Sequence, residues 1–301
     1  MNKNFKAHIA LLAVNIFYGA NYSIAKISLP QYIQPAGYIL LRVAASTLLY
    51  ALFLLLFMRG KSFRIDKSDW LRFILCGITG VALNQVLFFE GLARTSPVHA
   101  ALILTSNPLL VLVAAAFLIK EKITARKFLG ILLGISGAVL LIIYGNEIAI
   151  GHGSVKGDLF ILINSMSYAV YLVLAKPLMK KYNPVLVVAW VFFFGMIFSI
   201  PFGYGELLQV QWSAMPSAAI LSVIYVIIFA TFLAYLLNTY ALKTMSPAVV
   251  SYYIYVQPVI AAIIAYFLEE EKLTVLHLVS CLLIFSGVFL VSKMENDKQQ
   301  I

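Results

Sequence analysis

Charged residues are scarce in this chain. Of its 301 residues, 62% are hydrophobic and only 11% are charged, whereas soluble domains carry about 25% charged residues. The mean hydropathy is +0.96. This composition excludes a water-soluble globular protein and predicts an integral membrane protein.

Residues that build covalent staples, metal sites or catalytic centres are also few. The two cysteines, Cys76 and Cys281, both lie in apolar runs, so no disulfide framework is expected. The four histidines are scattered, so no metal site is predicted. The chain lacks the Gly-rich phosphate loop of ATPases and the Gly-x-Ser-x-Gly turn of serine hydrolases. We therefore expect no metal, no cofactor, no catalytic residue and no enzymatic activity.

The apolar runs are each about 20 residues long, which is the length that crosses a bilayer core as a helix. They predict an all-α integral membrane protein with ten spans. The spans form two groups of five, over residues 7–144 and 156–292, and a short polar tail follows at 293–301. The predicted spans cover about 7–28, 35–58, 68–92, 96–119, 125–144, 156–178, 183–203, 217–241, 246–268 and 273–292.

The basic residues predict the orientation in the membrane. With the N-terminus in the cytoplasm, most of the 22 Lys and Arg residues fall in cytoplasmic segments. Only Arg94, Lys156 and Lys272 fall in segments on the exterior side. Cytoplasmic loops of membrane proteins carry such an excess. The net charge of +10 therefore indicates membrane topology and not a nucleic-acid partner. We expect a multi-pass protein of the cytoplasmic (inner) cell membrane with both termini in the cytoplasm.

The segment 96–124 recurs as 246–274. Both copies begin with Ser-Pro, contain a central proline (Pro108 or Pro258) and end with Glu-Lys-x-Thr, and every match lies at an offset of 150 residues. The chain is therefore an internal duplication. Because each copy has an odd number of spans, the second copy crosses the membrane in the opposite sense. Inverted repeats of this kind predict a carrier that opens to either side around a central site.

Amide, phenol and aromatic side chains are concentrated in spans 1, 3, 4, 6, 8 and 9, which we predict to surround a central cavity. Such a cavity suits a small zwitterion or an aromatic metabolite better than a bare metal ion. For any single residue, hydrogen bonding between helices is the alternative role. The candidate substrate-binding residues are Tyr18, Tyr22, Gln85, Phe88, Thr105, Asn107, Tyr168, Tyr171, Tyr235, Asn238, Tyr252, Tyr255 and Gln257.

Pro108 and Pro258 lie in the middle of spans 4 and 9. A proline inside a helix removes one backbone hydrogen bond and kinks the helix. We predict that the two prolines are hinges or gating residues, and a static kink is the alternative.

Glu90 and Arg42 are the charged candidate residues inside the predicted spans. Glu90 is a candidate proton-coupling acid, but Arg94 lies four residues further on, and an ion pair within one helix is the alternative. Arg42 has no acid in its own span, so it needs either a partner across the bundle or a cavity.

With the repeat laid out, the sequence resembles the EamA family of the drug/metabolite transporter (DMT) superfamily over about residues 8–292. The features that carry the resemblance are Tyr18-Gly19, Arg42, the paired prolines and the paired Glu-x2-Thr ends. Phe192 departs from the pattern, since it stands where the second copy would repeat Arg42. The resemblance implies a ten-helix carrier of two inverted repeats, with spans 1, 3, 4, 6, 8 and 9 around the cavity. Relatives mostly export amino acids or related metabolites, and others move nucleotide sugars, vitamins or cofactors.

The leading hypothesis is a secondary active or facilitative transporter of small organic metabolites, an amino-acid or related exporter, that works by alternating access. The alternatives are a membrane-embedded enzyme or flippase that acts on lipid-linked substrates, and a non-transporting membrane scaffold. The expected partners are a small-molecule substrate and the lipid bilayer. A homodimer is compatible with the sequence and is not required by it.

Overall fold

The regular elements of the protein are helices. The computed structural model describes residues 3–57, 64–120, 124–148, 154–244, 253–255, 257, 260, 263–264, 267, 274–276 and 278–287. No strand occurs in these ranges. The all-helical prediction is therefore confirmed for the part of the chain that is described.

Eleven α-helices are numbered here in chain order, and a further helical stretch covers Leu278–Gly287. Short 3-10 turns cover Lys67–Asp69, Trp212–Ala214 and Tyr253–Tyr255. The α-helices are α1 (Lys3–Lys26), α2 (Pro35–Phe57), α3 (Trp70–Gly77), α4 (Leu83–Leu92), α5 (Pro97–Leu104), α6 (Asn107–Ile119), α7 (Ala125–Ile148), α8 (Val155–Lys181), α9 (Pro184–Leu208), α10 (Ser217–Ile227) and α11 (Ala234–Thr244).

Capping residues and prolines explain where several helices begin. Ser96 precedes Pro97, and its hydroxyl accepts a hydrogen bond of 3.1 Å from the backbone N–H of His99. Asn183 precedes Pro184, and its side chain accepts one of 3.0 Å from the N–H of Val185. A proline in the first turn costs no helical hydrogen bond, because that N–H has no partner inside the helix. These prolines therefore start helices, as their positions between apolar runs predict.

Six segments of the described chain are long and apolar enough to cross a membrane, and they match predicted spans 2, 3, 4, 6, 7 and 8. The multi-pass membrane prediction is confirmed, while the count of ten stays a prediction. Most of predicted span 9 lies outside the described residues. The six segments are Pro35–Phe57, Lys67–Leu92, His99–Leu118, Val155–Lys181, Pro184–Leu208 and Ser217–Ala241.

Large apolar side chains on the outside of the bundle support the same conclusion. Leu48 is 71% exposed, Phe117 81% and Phe202 66%. Soluble monomers rarely expose apolar surface on this scale, so these side chains mark a surface that faces lipid.

A π-helical turn interrupts two of the membrane-crossing segments. Ile78–Ala82 joins α3 to α4, and Ile228–Leu233 joins α10 to α11. The two turns start 150 residues apart, so they occupy the same place in the two repeats. A π turn adds one residue to a helical turn and often marks a functional site.

Glycines let pairs of helices approach closely. α2 packs along α9, where a Cβ added to Gly203 would lie 2.3 Å from the carbonyl oxygen of Ala36. The helix over 278–287 crosses α7, where a Cβ on Gly287 would lie 2.4 Å from the carbonyl oxygen of Gly130. Any side chain larger than hydrogen would separate the helices at these points.

Candidate functional site

A cavity of about 170 Å³ lies among α1, α2, α4, α8 and α11 and the junction of α5 with α6. Many of the predicted site residues line it. These are Tyr18, Tyr22, Arg42, Gln85, Phe88, Asn107, Tyr168, Tyr235, Asn238 and Gln257. The other lining residues are Val14, Asn15, Asn21, Asn84, Leu104, Asn164, Leu172, Ala230 and Ile254.

Most of the lining is made twice, once by each copy of the repeat. Seven pairs of lining residues stand 150 positions apart in the chain, so equivalent places in the two copies face one space. The pairs are Val14 with Asn164, Tyr18 with Tyr168, Tyr22 with Leu172, Gln85 with Tyr235, Phe88 with Asn238, Leu104 with Ile254 and Asn107 with Gln257.

A chain of hydrogen bonds joins Gln257 to α1. The Tyr22 hydroxyl donates to Oε1 of Gln257 at 2.8 Å, and Nε2 of Gln257 donates to Oδ1 of Asn15 at 2.7 Å. Nδ2 of Asn15 then donates to the carbonyl oxygen of Leu11 at 2.8 Å. All three polar side chains are buried, so this network fixes their orientation at the cavity wall.

The equivalent bond is made in the other copy. Nδ2 of Asn107 donates to Oγ of Ser165 at 3.0 Å and to its carbonyl oxygen at 3.2 Å. Asn107 is the equivalent of Gln257, and Ser165 is the equivalent of Asn15. In each copy, therefore, the residue before the central proline binds a helix of the other copy.

Two further links join the copies at the cavity. Nε2 of Gln85 donates to the Tyr235 hydroxyl at 3.2 Å. Asn84 and Asn164 form a reciprocal pair, since the side chain of each donates to the main-chain oxygen of the other, at 3.2 and 2.7 Å. α4 is thus held to both α11 and α8.

Arg42 has both of the features that its position requires, a partner across the bundle and a cavity. Its Nε and Nη2 donate to Oγ1 of Thr231 at 2.9 and 2.6 Å. Its guanidinium carbon lies 4.8 Å from the centre of the Phe89 ring. Thr231 belongs to the second π turn, and its hydroxyl donates to the carbonyl oxygen of Val226, five residues back, at 2.6 Å. The π turn therefore presents Thr231 to Arg42.

The helix breaks before Pro108 and not at it. α5 ends at Leu104, and α6 begins at Asn107, so Pro108 lies in the first turn of α6. The hydroxyls of Thr105 and Ser106 donate to the carbonyls of Leu102 and Ile103 at 2.6 and 2.7 Å. Pro108 has no N–H for the carbonyl of Leu104, and Leu104 lines the cavity. The interruption lies at the cavity wall, and the hinge role stays a prediction.

Some of the predicted site residues lie elsewhere. Thr105 is bonded within its own helix break, and Tyr171 is buried against Gly80, where a Cβ would lie 2.4 Å from its ring. Neither these two nor Tyr255 is among the residues that line the cavity. Tyr252 and Pro258 fall outside the described residues.

Glu90 forms the intrahelical ion pair that its spacing allows. Arg94 donates to the Glu90 carboxylate, and also to the Glu90 carbonyl oxygen at 2.7 Å. Glu90 does not line the cavity. The described contacts match the alternative of an ion pair within one helix.

A second polar cluster lies where α5 meets α8, and it was not predicted from the sequence. The Thr95 hydroxyl donates to one carboxylate oxygen of Asp158, and Nδ1 of His99 lies 3.1 Å from the other. All three side chains are fully buried, and they join the start of α8 to the start of α5. Each residue looks unremarkable in its own span, and only the packing of the two copies brings them together. The asparagines that line the cavity are easier to predict from the sequence, because amide side chains are rare in apolar spans.

Known proteins share both a family model and a fold with this chain. A family model described as the EamA-like transporter family matches the chain twice, over residues 5–143 and 155–293. A solved crystal structure with 18% sequence identity superposes with a TM-score of 0.64 and covers 96% of each chain, which shows a shared fold.

Several known proteins are similar to this chain over most of their length. The uncharacterized transporter YyaM of Bacillus subtilis is 28% identical over 96% of this chain and 94% of its own. An uncharacterized transporter of Archaeoglobus fulgidus is 27% identical over 98% of this chain and 100% of its own. The protein WALLS ARE THIN 1 of Arabidopsis thaliana is 22% identical over 99% of this chain and 85% of its own. The chain therefore belongs to the EamA-like transporter family and is a membrane transporter.

Proposed function

We propose that this transporter is a secondary active or facilitative carrier that moves small organic metabolites by alternating access, and that its physiological role is the export of amino acids or related metabolites. The observation that carries this proposal is the cavity whose lining residues come in pairs from the two repeats. A site shared between two equivalent halves can be exposed to either side by moving one half against the other.

The proposed membrane arrangement has ten spans in two inverted five-helix repeats, with both termini in the cytoplasm. The distribution of basic residues supports this orientation. The break between α5 and α6 supports a role for the central prolines as hinges, since a helix without one of its hydrogen bonds bends there at lower cost.

The chemistry of the lining supports binding rather than bond cleavage. Among the described residues, the wall contains no acid, no histidine and no cysteine. It offers amides from Gln85, Asn107 and Gln257 and phenols from Tyr18 and Tyr168. These groups donate and accept hydrogen bonds and also give an aromatic surface, which fits the polar head and organic body of an amino acid.

The experiment is counterflow in proteoliposomes. The purified protein is reconstituted, the vesicles are loaded with a mixture of unlabelled amino acids, and entry of the labelled compounds is followed. We expect labelled amino acids to enter faster than in protein-free vesicles. No entry of any amino acid would reject amino-acid transport.

A matched pair of variants connects the flux to the cavity. Leu172 lines the cavity, so Leu172→Trp fills it and abolishes counterflow. Leu52 is 52% exposed on the outside of the bundle, so Leu52→Trp adds the same side chain at a lipid-facing position and preserves counterflow. Equal rates in the two variants would show that the solute takes another route.

A further inference from the structure

The cavity carries one fixed charge. Arg42 is the only charged residue among the described residues of the wall, and it is 4% exposed. No described carboxylate forms an ion pair with it. Three described acids have other partners: Glu206 accepts from the backbone N–H of Gly37, Glu90 from Arg94, and Asp158 from Thr95.

A buried guanidinium is costly unless its donors and its charge are both satisfied. A guanidinium has five N–H donors, and two of them go to the single oxygen of Thr231. Threonine is neutral, so its hydroxyl satisfies two N–H donors of Arg42 but does not neutralise the positive charge. The remaining donors belong to a side chain that lines the cavity.

The guanidinium is held in place before any solute binds. The Thr231 hydroxyl donates its hydrogen to the Val226 carbonyl. It therefore acts only as a hydrogen-bond acceptor towards Arg42. The Phe89 ring supports the guanidinium at 4.8 Å, and Phe89 is fully buried. A cation fixed by two neighbours loses little further freedom on binding, which increases affinity for a matching anion.

The equivalent position in the second repeat carries no charge. Phe192 occupies the position 150 residues after Arg42, and it packs against the rings of Tyr235 and Tyr50 with centroid distances of 4.9 and 5.2 Å. Among the described residues, the charged side chain of the wall therefore lies only on the side of α2, although most of the wall is made twice.

We propose that Arg42 is the anion-binding residue of the cavity and that the transported substrate is a small organic carboxylate whose carboxyl group it holds. A carboxylate accepts two parallel hydrogen bonds from an arginine, which makes this pair both strong and directional. The organic body of the substrate then lies against Tyr22 and Phe88, whose ring centroids are 5.8 Å apart. Thr231 acts as a positioning residue. This inference rests on the proposed transport function and names its substrate class.

The experiment compares acids with their own amides. Proteoliposomes are given the proteinogenic amino acids together with pyruvate and benzoate, and separately the matching carboxamides, and the internal contents are measured by mass spectrometry. We expect at least one carboxylate to enter roughly 30-fold faster than its amide, the loss expected when a charged hydrogen-bonded pair is removed. If amides enter as fast as acids, the inference is overturned while transport stands. If no compound of either set enters, the proposed function fails as well.

Variants locate the effect at Arg42. Arg42→Gln abolishes the preference for acid over amide, and Arg42→Lys retains part of it because the charge remains. Arg94→Gln removes an equal charge from the end of α4, away from the cavity, and leaves the preference unchanged. Retention of the full preference in Arg42→Gln would overturn the proposal.

Variants of Thr231 test the proposal even if Arg42→Gln does not fold. Thr231→Val removes both hydrogen bonds to Arg42 and keeps the charge, so we expect a higher KM for the carboxylate with kcat less affected. Thr231→Ser keeps the hydroxyl and restores the KM. Equal KM values for the valine and serine variants would contradict the positioning role.

Discussion

Two pairs of helices join the two repeats in equivalent ways, yet they are held by different forces. α4 packs on α8, and α11 packs on α1. Between α4 and α8, Asn84 and Asn164 hydrogen-bond reciprocally. The equivalent residues of the other interface are Ala234 and Val14, which form no side-chain hydrogen bonds. One interface is therefore polar at its centre, and the other is apolar.

The contacts at the ends of α8 and α1 differ as well. At one end of α8, Asp158 binds Thr95 and His99. At the other end, Lys181 lies 2.5 Å from Asp66 and 2.6 Å from Asp69. Near the N-terminus of α1, the packing is instead made by Ala7, Leu11 and Ala241, with a hydrogen bond of 2.5 Å between His8 and Tyr253 at its edge.

For the proposed alternating access, this difference predicts which of the two interfaces changes. Directional hydrogen bonds between buried groups must break before helices slide, whereas apolar surfaces can exchange one contact for another. We therefore expect the α4–α8 pair to stay together during transport and the α1–α11 pair to move.

The largest effect is expected at the buried acid. Asp158→Ala removes the partner of His99 and Thr95, and we expect a loss of about 3 kcal/mol of stability because buried polar groups lose their partner. Asp158→Asn keeps the side-chain shape and an acceptor for Thr95, so it should lose less. Melting of the purified protein in detergent measures both variants. A melting temperature for Asp158→Ala equal to that of the wild type would show that this cluster does not stabilise the protein.

The next effect concerns transport. Val14→Asn with Ala234→Asn places two amides in the apolar interface, at the positions equivalent to the Asn164 and Asn84 pair. We expect counterflow to slow by roughly 10-fold, equivalent to about 1.4 kcal/mol in the barrier, without loss of melting temperature. Val14→Asn alone controls for the change in the cavity wall. An unaffected rate in the double variant would contradict movement at α1–α11.

A smaller effect is expected at the centre of the polar interface. Asn84→Ala removes one hydrogen bond to the main chain of Asn164, and we expect a loss of about 1 kcal/mol. Thr79→Ala is the control, because the Thr79 hydroxyl bonds only within its own helix, to the Leu75 carbonyl. Equal melting temperatures for the two variants would show that the asparagine pair adds nothing to the interface.

The smallest effect is expected at Lys181, whose side chain is 45% exposed. Lys181→Met should lower the melting temperature by less than Asn84→Ala does, because water screens exposed ion pairs. The difference from the wild type should shrink further as salt is raised. A loss as large as that of Asp158→Ala would show that this end of α8 is as important as the buried end.

Much of the cavity could be predicted from sequence because the repeat has a fixed offset. Pro108 and Pro258 lie 150 residues apart, and the same offset pairs Tyr18 with Tyr168 and Gln85 with Tyr235. The polar side chains of these spans then indicate that they face a cavity. Tyr171 shares a helix face with Tyr168 but is not among the residues that line the cavity. It lies three residues from Tyr168, and the packing of Gly80 draws it away from the cavity.

Other features depend on contacts that sequence does not reveal. The π turns contain no proline, and the second is stabilised by the Arg42–Thr231 hydrogen bonds between distant parts of the chain. Asp158 and His99 are 59 residues apart, and each alone is typical of a span end. Their pairing appears only when α8 is placed against the start of α5.

Two-sided access to the cavity tests the central claim most directly. Ala230 lines the cavity, so Ala230→Cys is introduced after Cys76 and Cys281 are replaced by alanine. A membrane-impermeant thiol reagent is then added either inside or outside sealed vesicles of known orientation, with the cysteine-free protein as the control. Alternating access predicts that the new cysteine is labelled from both sides. Labelling from one side only would contradict the account.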